Sequence, residues 1–318
     1  MKLSKTINLS VLLLIFCSFV FSQDETPIRV ETNFVNINVS VFDKKGKFVE
    51  GLSKENFEVF DNGVKQKLEY FSSENAPVSF GIIYDMHPTT EERTKAVLES
   101  LREFTKGLPE QDDFFTLVFN KRGTLLLGFV PTAEQIRVNL QGKFREPNAL
   151  YDAIYKATKV IAGTRNHKRV LLVITDSADH NSEHRFNDIE KQLKKLDVQV
   201  YTILWDEAEK WRYADVSSGG ESRSRVSSDA SGLSRAALEE LALRTGGMLR
   251  SPTVQNANEL YRIYGQIAFE TRQQYTLGFY PSAFDGSWHN LKIGLRSVSG
   301  SRKMALTYRQ GYQSPQKN

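Results

Sequence analysis

The sequence has 318 residues, of which 40% are hydrophobic and 25% charged, a profile typical of a folded globular protein of about two domains. The formal net charge is only +4, and two of the basic residues, Lys2 and Lys5, lie near the start. So small an excess gives no reason to expect a nucleic-acid-binding surface.

Residues 1–22 are typical of a secretory signal peptide. Lys2 and Lys5 precede an apolar stretch at 9–21 that is short for a membrane span, and Ser22 offers a small residue for cleavage. We therefore expect an exported protein, periplasmic, on the outer surface or secreted, with no transmembrane segment after cleavage; an uncleaved anchor is the alternative. Since Cys17 is the only cysteine, the mature chain would have no disulfide, thiolate metal site or cysteine nucleophile.

Residues 23–76 are predicted to form part of a β domain. Val, Ile, Val and Val at 35, 37, 39 and 41 alternate with mainly polar residues, which indicates a half-buried strand. The run Asp61-Asn62-Gly63 predicts a hairpin turn between strands at 57–60 and 68–71.

Residues 77–273 alternate apolar strands with amphipathic helices, which indicates an α/β domain with a doubly wound, mainly parallel sheet. The segment 206–233 is rich in Ser and Gly and is predicted to be a flexible surface loop. Strands are predicted at 78–84, 114–119, 124–129, 169–175 and 198–204, and helices at 91–106, 133–140, 149–161, 186–196, 234–244 and 257–273.

The alternating pattern returns in residues 274–318, with predicted strands at 275–280, 291–295 and 304–308. Neither end of the chain has enough strands for a good core of its own. We therefore expect 23–76 and 274–318 to pair into one small β-sandwich-like domain, with the Rossmann-like α/β domain inserted between its halves. Two separate small β appendages are the alternative.

Polar side chains from three parts of the α/β domain are expected to meet at one edge of its sheet. Asp85 and Thr89 follow the strand at 78–84, Asp176 follows the strand at 169–175, and Asn148 precedes the helix at 149–161. In an open α/β sheet, the carboxyl ends of the strands line the crevice where ligands bind. Carboxylates with further oxygen donors suit a hard divalent cation such as magnesium.

These residues, together with short motifs in the same order, resemble a von Willebrand factor type A (VWFA) domain protein, and in particular the exported acidobacterial VWFA-related group. The resemblance extends over nearly all of the chain after the leader. The motifs are VSVFDKKG at 39–46, GLSKENFEV at 51–59, ALYDAI at 149–154, TGG at 245–247, QYTLGFY at 274–280 and YRQGY at 308–312.

The resemblance implies a metal-ion-dependent adhesion site, with the pattern D-x-S-x-S, a threonine, and an aspartate in T-D-G. Asp85 and Asp176 match the two aspartates, while His87, Thr89 and Asn148 replace the first serine, the second serine and the threonine. The resemblance further implies a non-enzymatic, adhesion-type module that binds a magnesium or manganese ion. An acidic side chain of an unidentified protein partner then completes the coordination of this ion. Because of the imidazole of His87, zinc is also considered.

Four alternatives remain open at this point. In a metal-free site, Asp85 and Asp176 accept hydrogen bonds from loop backbone and helix N-termini. A metal-independent envelope scaffold or assembly protein would bind through the β domain or the serine-rich loop. A metal-dependent hydrolase would use the carboxylates and histidines near Asp176. A zinc site would combine His180 and His184 with His87 and Asp176.

Overall fold

The computed structural model describes residues 34–85, 91–120, 123–132, 134–135, 149–175, 179, 182–204, 235–252, 256–296 and 304–316. The signal peptide predicted at 1–22 and the surface loop predicted at 206–233 lie outside these residues, as does the helix predicted at 133–140 except for 134–135. Within the described part, no helix has the length and apolar character needed to cross a membrane.

The described elements follow the predicted order, with a few additional short strands. The strands are β1 (Val35–Phe42), β2 (Phe57–Asp61), β3 (Val64–Gln66), β4 (Tyr70–Ser72), β5 (Val78–Asp85), β6 (Asp113–Asn120), β7 (Gly123–Leu127), β8 (Lys168–Thr175), β9 (Val198–Leu204), β10 (Leu249–Arg250), β11 (Tyr275–Phe279), β12 (Trp288–Leu295), β13 (Ala305–Thr307) and β14 (Gly311–Gln313). The helices are α1 (Glu91–Lys106), α2 (Leu150–Ile161), α3 (Phe186–Leu196), α4 (Arg235–Arg244) and α5 (Ala257–Gln273).

A six-stranded sheet in the order β10-β9-β8-β5-β6-β7 forms the centre of the molecule. All its neighbouring strands are parallel except the edge pair β6–β7. Every residue of β5 and β9 is buried, because helices cover both faces of the sheet: α1 and α5 pack on one, and α2, α3 and α4 on the other. The predicted α/β class with a mostly parallel sheet is thus confirmed.

Strands from the two ends of the chain pair with each other in two antiparallel sheets, β13-β1-β11-β4 and β14-β12-β2-β3. β1 pairs with β11, and β2 with β12. The alternating Val and Ile residues of β1 are all buried, in a core that both sheets share. The described residues between 34 and 316 belong to one compact unit, so the domain boundaries proposed from the sequence stay a prediction.

The turn at Asn62-Gly63 is present, but its partner strand differs from the prediction. Both residues have positive φ angles (47° and 82°), as a two-residue hairpin loop requires. The strand that pairs with β2 is β3, which follows the two-residue loop directly. The strand predicted at 68–71 is instead β4, which pairs with β11 in the other sheet.

Two buried charged residues, Asp112 and Lys168, form hydrogen bonds where the chain enters the central sheet at β5 and where it leaves the α/β part after α5. The carboxylate of Asp112 accepts a hydrogen bond from the backbone of Val78 at the start of β5 (2.9 Å) and contacts the guanidinium of Arg272 in the last turn of α5. The ammonium of Lys168 on β8 donates to three carbonyl groups at the end of α5 (3.1–3.3 Å). Burial lowers the pKa of Lys168 to about 8.

Candidate functional site

Asp85 is the last residue of β5, at the carboxyl edge of the six-stranded sheet. Its parallel neighbour β8 ends at Thr175, and the register that pairs Tyr84 with Ile174 brings these two terminal residues together. The Thr175 hydroxyl donates a hydrogen bond to Asp85 Oδ2 (2.8 Å). Asp85 is only 2% exposed, so its carboxylate is held in one orientation at the edge where the sequence predicts a ligand site.

The other four predicted ligands, His87, Thr89, Asn148 and Asp176, lie outside the described residues. The structure therefore neither brings them to Asp85 nor separates them from it. Among the residues that are described, no three His, Cys, Asp or Glu side chains form a group that could hold a metal ion. The five-residue metal site stays a prediction.

Asp179 is a second buried carboxylate at this edge of the sheet, and it was not predicted from the sequence. It is 3% exposed, and its Oδ1 accepts hydrogen bonds from the backbone of Tyr151 (3.2 Å) and the hydroxyl of Ser182 (2.5 Å). Ala149, the residue before α2, offers no side-chain cap, so the loop after β8 caps this helix instead. Burial, followed by the nearby charge of Asp179, raises the pKa of Tyr151 to about 12.

A second contact between the same two segments joins Asp152 in the first turn of α2 to His184. The carboxylate accepts hydrogen bonds from the ring Nδ1 of His184 (2.6 Å) and from its backbone N–H (3.0 Å). The imidazole also stacks on Tyr155, with ring centroids 3.7 Å apart. Nδ1 of His184 is thus engaged in fixing the loop, and the other residues of the zinc alternative lie outside the described part of the chain.

The hydrogen bonds at this edge separate the serine from the histidine. The Ser182 hydroxyl donates its one proton to Asp179 and accepts a bond from the backbone of Asp152 (3.2 Å). His184 bonds to Asp152 rather than to Ser182. The described residues therefore form no serine–histidine nucleophile pair here. What they do form is a set of hydrogen bonds that joins the loop after β8 to the first turn of α2.

Sequence comparison gives no relative, since no protein-family model and no curated protein matches the chain. Many solved structures align with parts of it, among them the following three. An aerotolerance-related membrane protein from Bacteroides fragilis, with multiple mutations to serines, is 16% identical over 61% of this chain and 99% of its own (TM-score 0.38). The conserved hypothetical protein BatB from Bacteroides thetaiotaomicron is 16% identical over 62% and 98% (TM-score 0.41). The PilB minor pilin from Streptococcus sanguinis is 8% identical over 64% and 63% (TM-score 0.38). Likenesses at this level neither place the chain in a family nor indicate what it does.

Proposed function

We propose that the protein is an exported, non-enzymatic binding module of the VWFA type. In this proposal it recognises a protein partner at the carboxyl edge of its six-stranded sheet, through a divalent cation held there. The observation that supports it most is Asp85, a buried carboxylate at the end of β5. Its bond from Thr175 fixes the orientation of the oxygens, as a metal-ligating carboxylate needs.

The predicted donors fit such an ion in chemical type. Magnesium and manganese prefer oxygen ligands, and four of the five residues offer them: Asp85, Thr89, Asn148 and Asp176. The imidazole of His87 adds a nitrogen donor, which favours manganese or zinc over magnesium. When bound, the ion would supply an open coordination position that an acidic side chain of the partner fills.

Calorimetric titration of the chelator-stripped protein with Mg²⁺, Mn²⁺ and Zn²⁺ tests the metal site. We expect saturable binding of at least one ion. Asp85→Asn keeps the size of the side chain and an acceptor for Thr175 but removes the charge, so we expect it to weaken binding by at least about tenfold. Glu99→Gln removes an exposed carboxylate from α1 and serves as the matched control. Ion binding that Asp85→Asn leaves unchanged would contradict the proposal.

A second candidate, metal-independent binding through the β sheets, is favoured by an exposed aromatic cluster. Tyr70 and Tyr280 are 47% and 61% exposed, and both rings pack edge-on against Phe34, with centroids 6.4 and 5.0 Å away. A Cβ at Gly278 would lie 2.3 Å from the Phe34 ring, so the glycine makes room for that ring. Exposed tyrosines with a fixed geometry are common at protein interfaces.

Partner capture from an envelope extract separates the two candidates. Metal-dependent binding requires that capture stop when EDTA is added and in Asp85→Asn, while Tyr280→Ser leaves it intact. Binding through the aromatic cluster requires the reverse: capture is lost in Tyr280→Ser and is indifferent to EDTA.

A further inference from the structure

β7 is the last strand of the six-stranded sheet, and no described strand pairs with its outer side. Within the described part of the chain it pairs with β6 alone, in an antiparallel register that runs from Thr116–Leu127 to Asn120–Gly123. One side of an edge strand presents N–H and C=O groups that the sheet itself does not use. Proteins normally protect such an edge by making it short, by placing charged residues on it, or by covering it.

The opposite edge of the same sheet has this protection, whereas no described residue gives it to β7. β10 contains only two residues, and one of them is Arg250. β7 has five residues, and the whole segment 123–132 (GTLLLGFVPT) contains no charged residue. Leu126 and Phe129 are 42% and 49% exposed. The β7 edge is therefore longer, uncharged and apolar.

We propose that β7 pairs antiparallel with β7 of a second copy of this chain, so that the two six-stranded sheets become one continuous sheet across a twofold axis. The lack of charge supports a second copy as the occupant, because pairing the edge with itself places no like charges opposite each other. A twofold axis perpendicular to the sheet keeps both Leu126 side chains on the same face. There they lie close to each other across the new strand pair and lose exposure to water.

Side-chain alternation explains why this pairing does not disturb the core. Leu125 packs against the apolar cluster beneath α1 and α5. Leu126 points to the other face of the sheet and lies opposite Leu117 on β6. The residue that meets the second copy is thus an exposed one, and a substitution at position 126 changes the edge while the core is left in place.

The molar mass of the protein in solution, measured by light scattering after size exclusion, tests the inference. We expect twice the mass of one chain for the wild type. Leu126→Lys would place two ammonium groups beside each other at the pairing edge, and we expect it to raise the dissociation constant of the dimer by more than about tenfold. Leu243→Lys is the matched control, because Leu243 on α4 is exposed to a similar extent (46%) and lies away from β7.

Amide hydrogen exchange locates the interface independently of mass. In the dimer, the outward N–H groups of β7 become bonded, so exchange over 123–127 slows as the protein concentration rises, and Leu126→Lys abolishes the effect. A monomeric wild type overturns the inference, as does a dimer that Leu126→Lys leaves intact or that Leu243→Lys also breaks. It is likewise overturned if β7 exchange does not depend on concentration, or if the edge is filled by a strand of a different protein that co-purifies with the wild type and not with Leu126→Lys.

Discussion

Asp61 is a buried carboxylate on β2, and we expect its removal to destabilise the protein strongly. Its side chain is 1% exposed and accepts hydrogen bonds from His289 Nδ1 and from the Tyr312 hydroxyl, both at 2.8 Å. The three residues lie on β2, β12 and β14, so that one carboxylate joins three neighbouring strands. The second ring nitrogen of His289 faces Asp285 at 3.3 Å, and Asp285 is about half exposed.

The expected loss of stability follows from these contacts. A hydrogen bond to a charged group contributes about 1.5–3 kcal/mol to the free energy of unfolding, and breaking a buried ion pair costs about 3–5 kcal/mol. Asp61→Ala removes both hydrogen bonds at once, so we expect a loss of about 3–5 kcal/mol. Tyr312→Phe removes one of them and should cost about 1.5–3 kcal/mol. Asp285→Asn alters a half-exposed pair, which water screens, and should cost less than Tyr312→Phe.

The same cluster predicts a pH dependence with a definite sign. Burial lowers the pKa of His289, but the hydrogen bond and charge of Asp61, together with those of Asp285, outweigh it and raise the pKa above its usual 6.5. Because the folded state holds the proton more tightly, the stabilisation is fully present below pH 6.5 and is lost as the pH rises through the folded pKa. The stability difference between wild type and Asp61→Ala should therefore shrink as the pH rises.

Urea unfolding between about pH 6 and pH 9, followed by tryptophan fluorescence, measures both effects. Trp288 precedes His289 on β12 and so reports on these strands. A cost of Asp61→Ala no greater than that of Asp285→Asn would contradict this expectation, as would a difference from the wild type that is the same at every pH.

Two further pairs of substitutions test the packing of the fold. Asp112→Ala breaks the buried pair with Arg272 and should cost about 3–5 kcal/mol, whereas Glu103→Gln at a well-exposed pair on α1 should cost less than about 0.5 kcal/mol in urea unfolding. Gly247→Ala would place a Cβ 1.9 Å from a carbonyl oxygen of β9, so we expect a loss of at least about 3 kcal/mol. Gly265→Ala has open space around it on α5 and should instead stabilise by about 0.5–1 kcal/mol; equal thermal unfolding midpoints for the two alanine variants would contradict this.

Elements with a strong apolar period were predictable because burial alone decides them. α1 was expected at 91–106 and is found there, since its apolar residues form one stripe on the sheet. β3 was missed because Val64, Lys65 and Gln66 are mostly exposed and show no alternation. Only the geometry of the Asn62-Gly63 turn places them beside β2. β10 and β14, with two and three residues, are too short to show a period.

At the candidate site, the sequence predicts Asp85, because the end of a strand fixes its position. It does not predict Asp179, whose position depends on a contact with a helix that is distant in the sequence. Asp85 ends a buried run, and this alone places it at the edge of the sheet. The contact of Asp179 with Tyr151 spans 28 positions and depends on how two loops fold over α2. A signal for it was nevertheless present, because Ala149 cannot cap the helix that follows.

Water proton relaxation reports on an open coordination position at a bound ion, and so it is the measurement that tests partner binding through an ion at Asp85. Mn²⁺ bound to the protein with a coordinated water should speed the relaxation of bulk water beyond the effect of free Mn²⁺. A short peptide that contains aspartate should lower that rate by displacing the water, and a matched asparagine peptide should not. We expect this pattern for the wild type and for Glu99→Gln, and its loss in Asp85→Asn. A wild-type protein that leaves the relaxation by Mn²⁺ unchanged, or an effect that persists in Asp85→Asn, would contradict it.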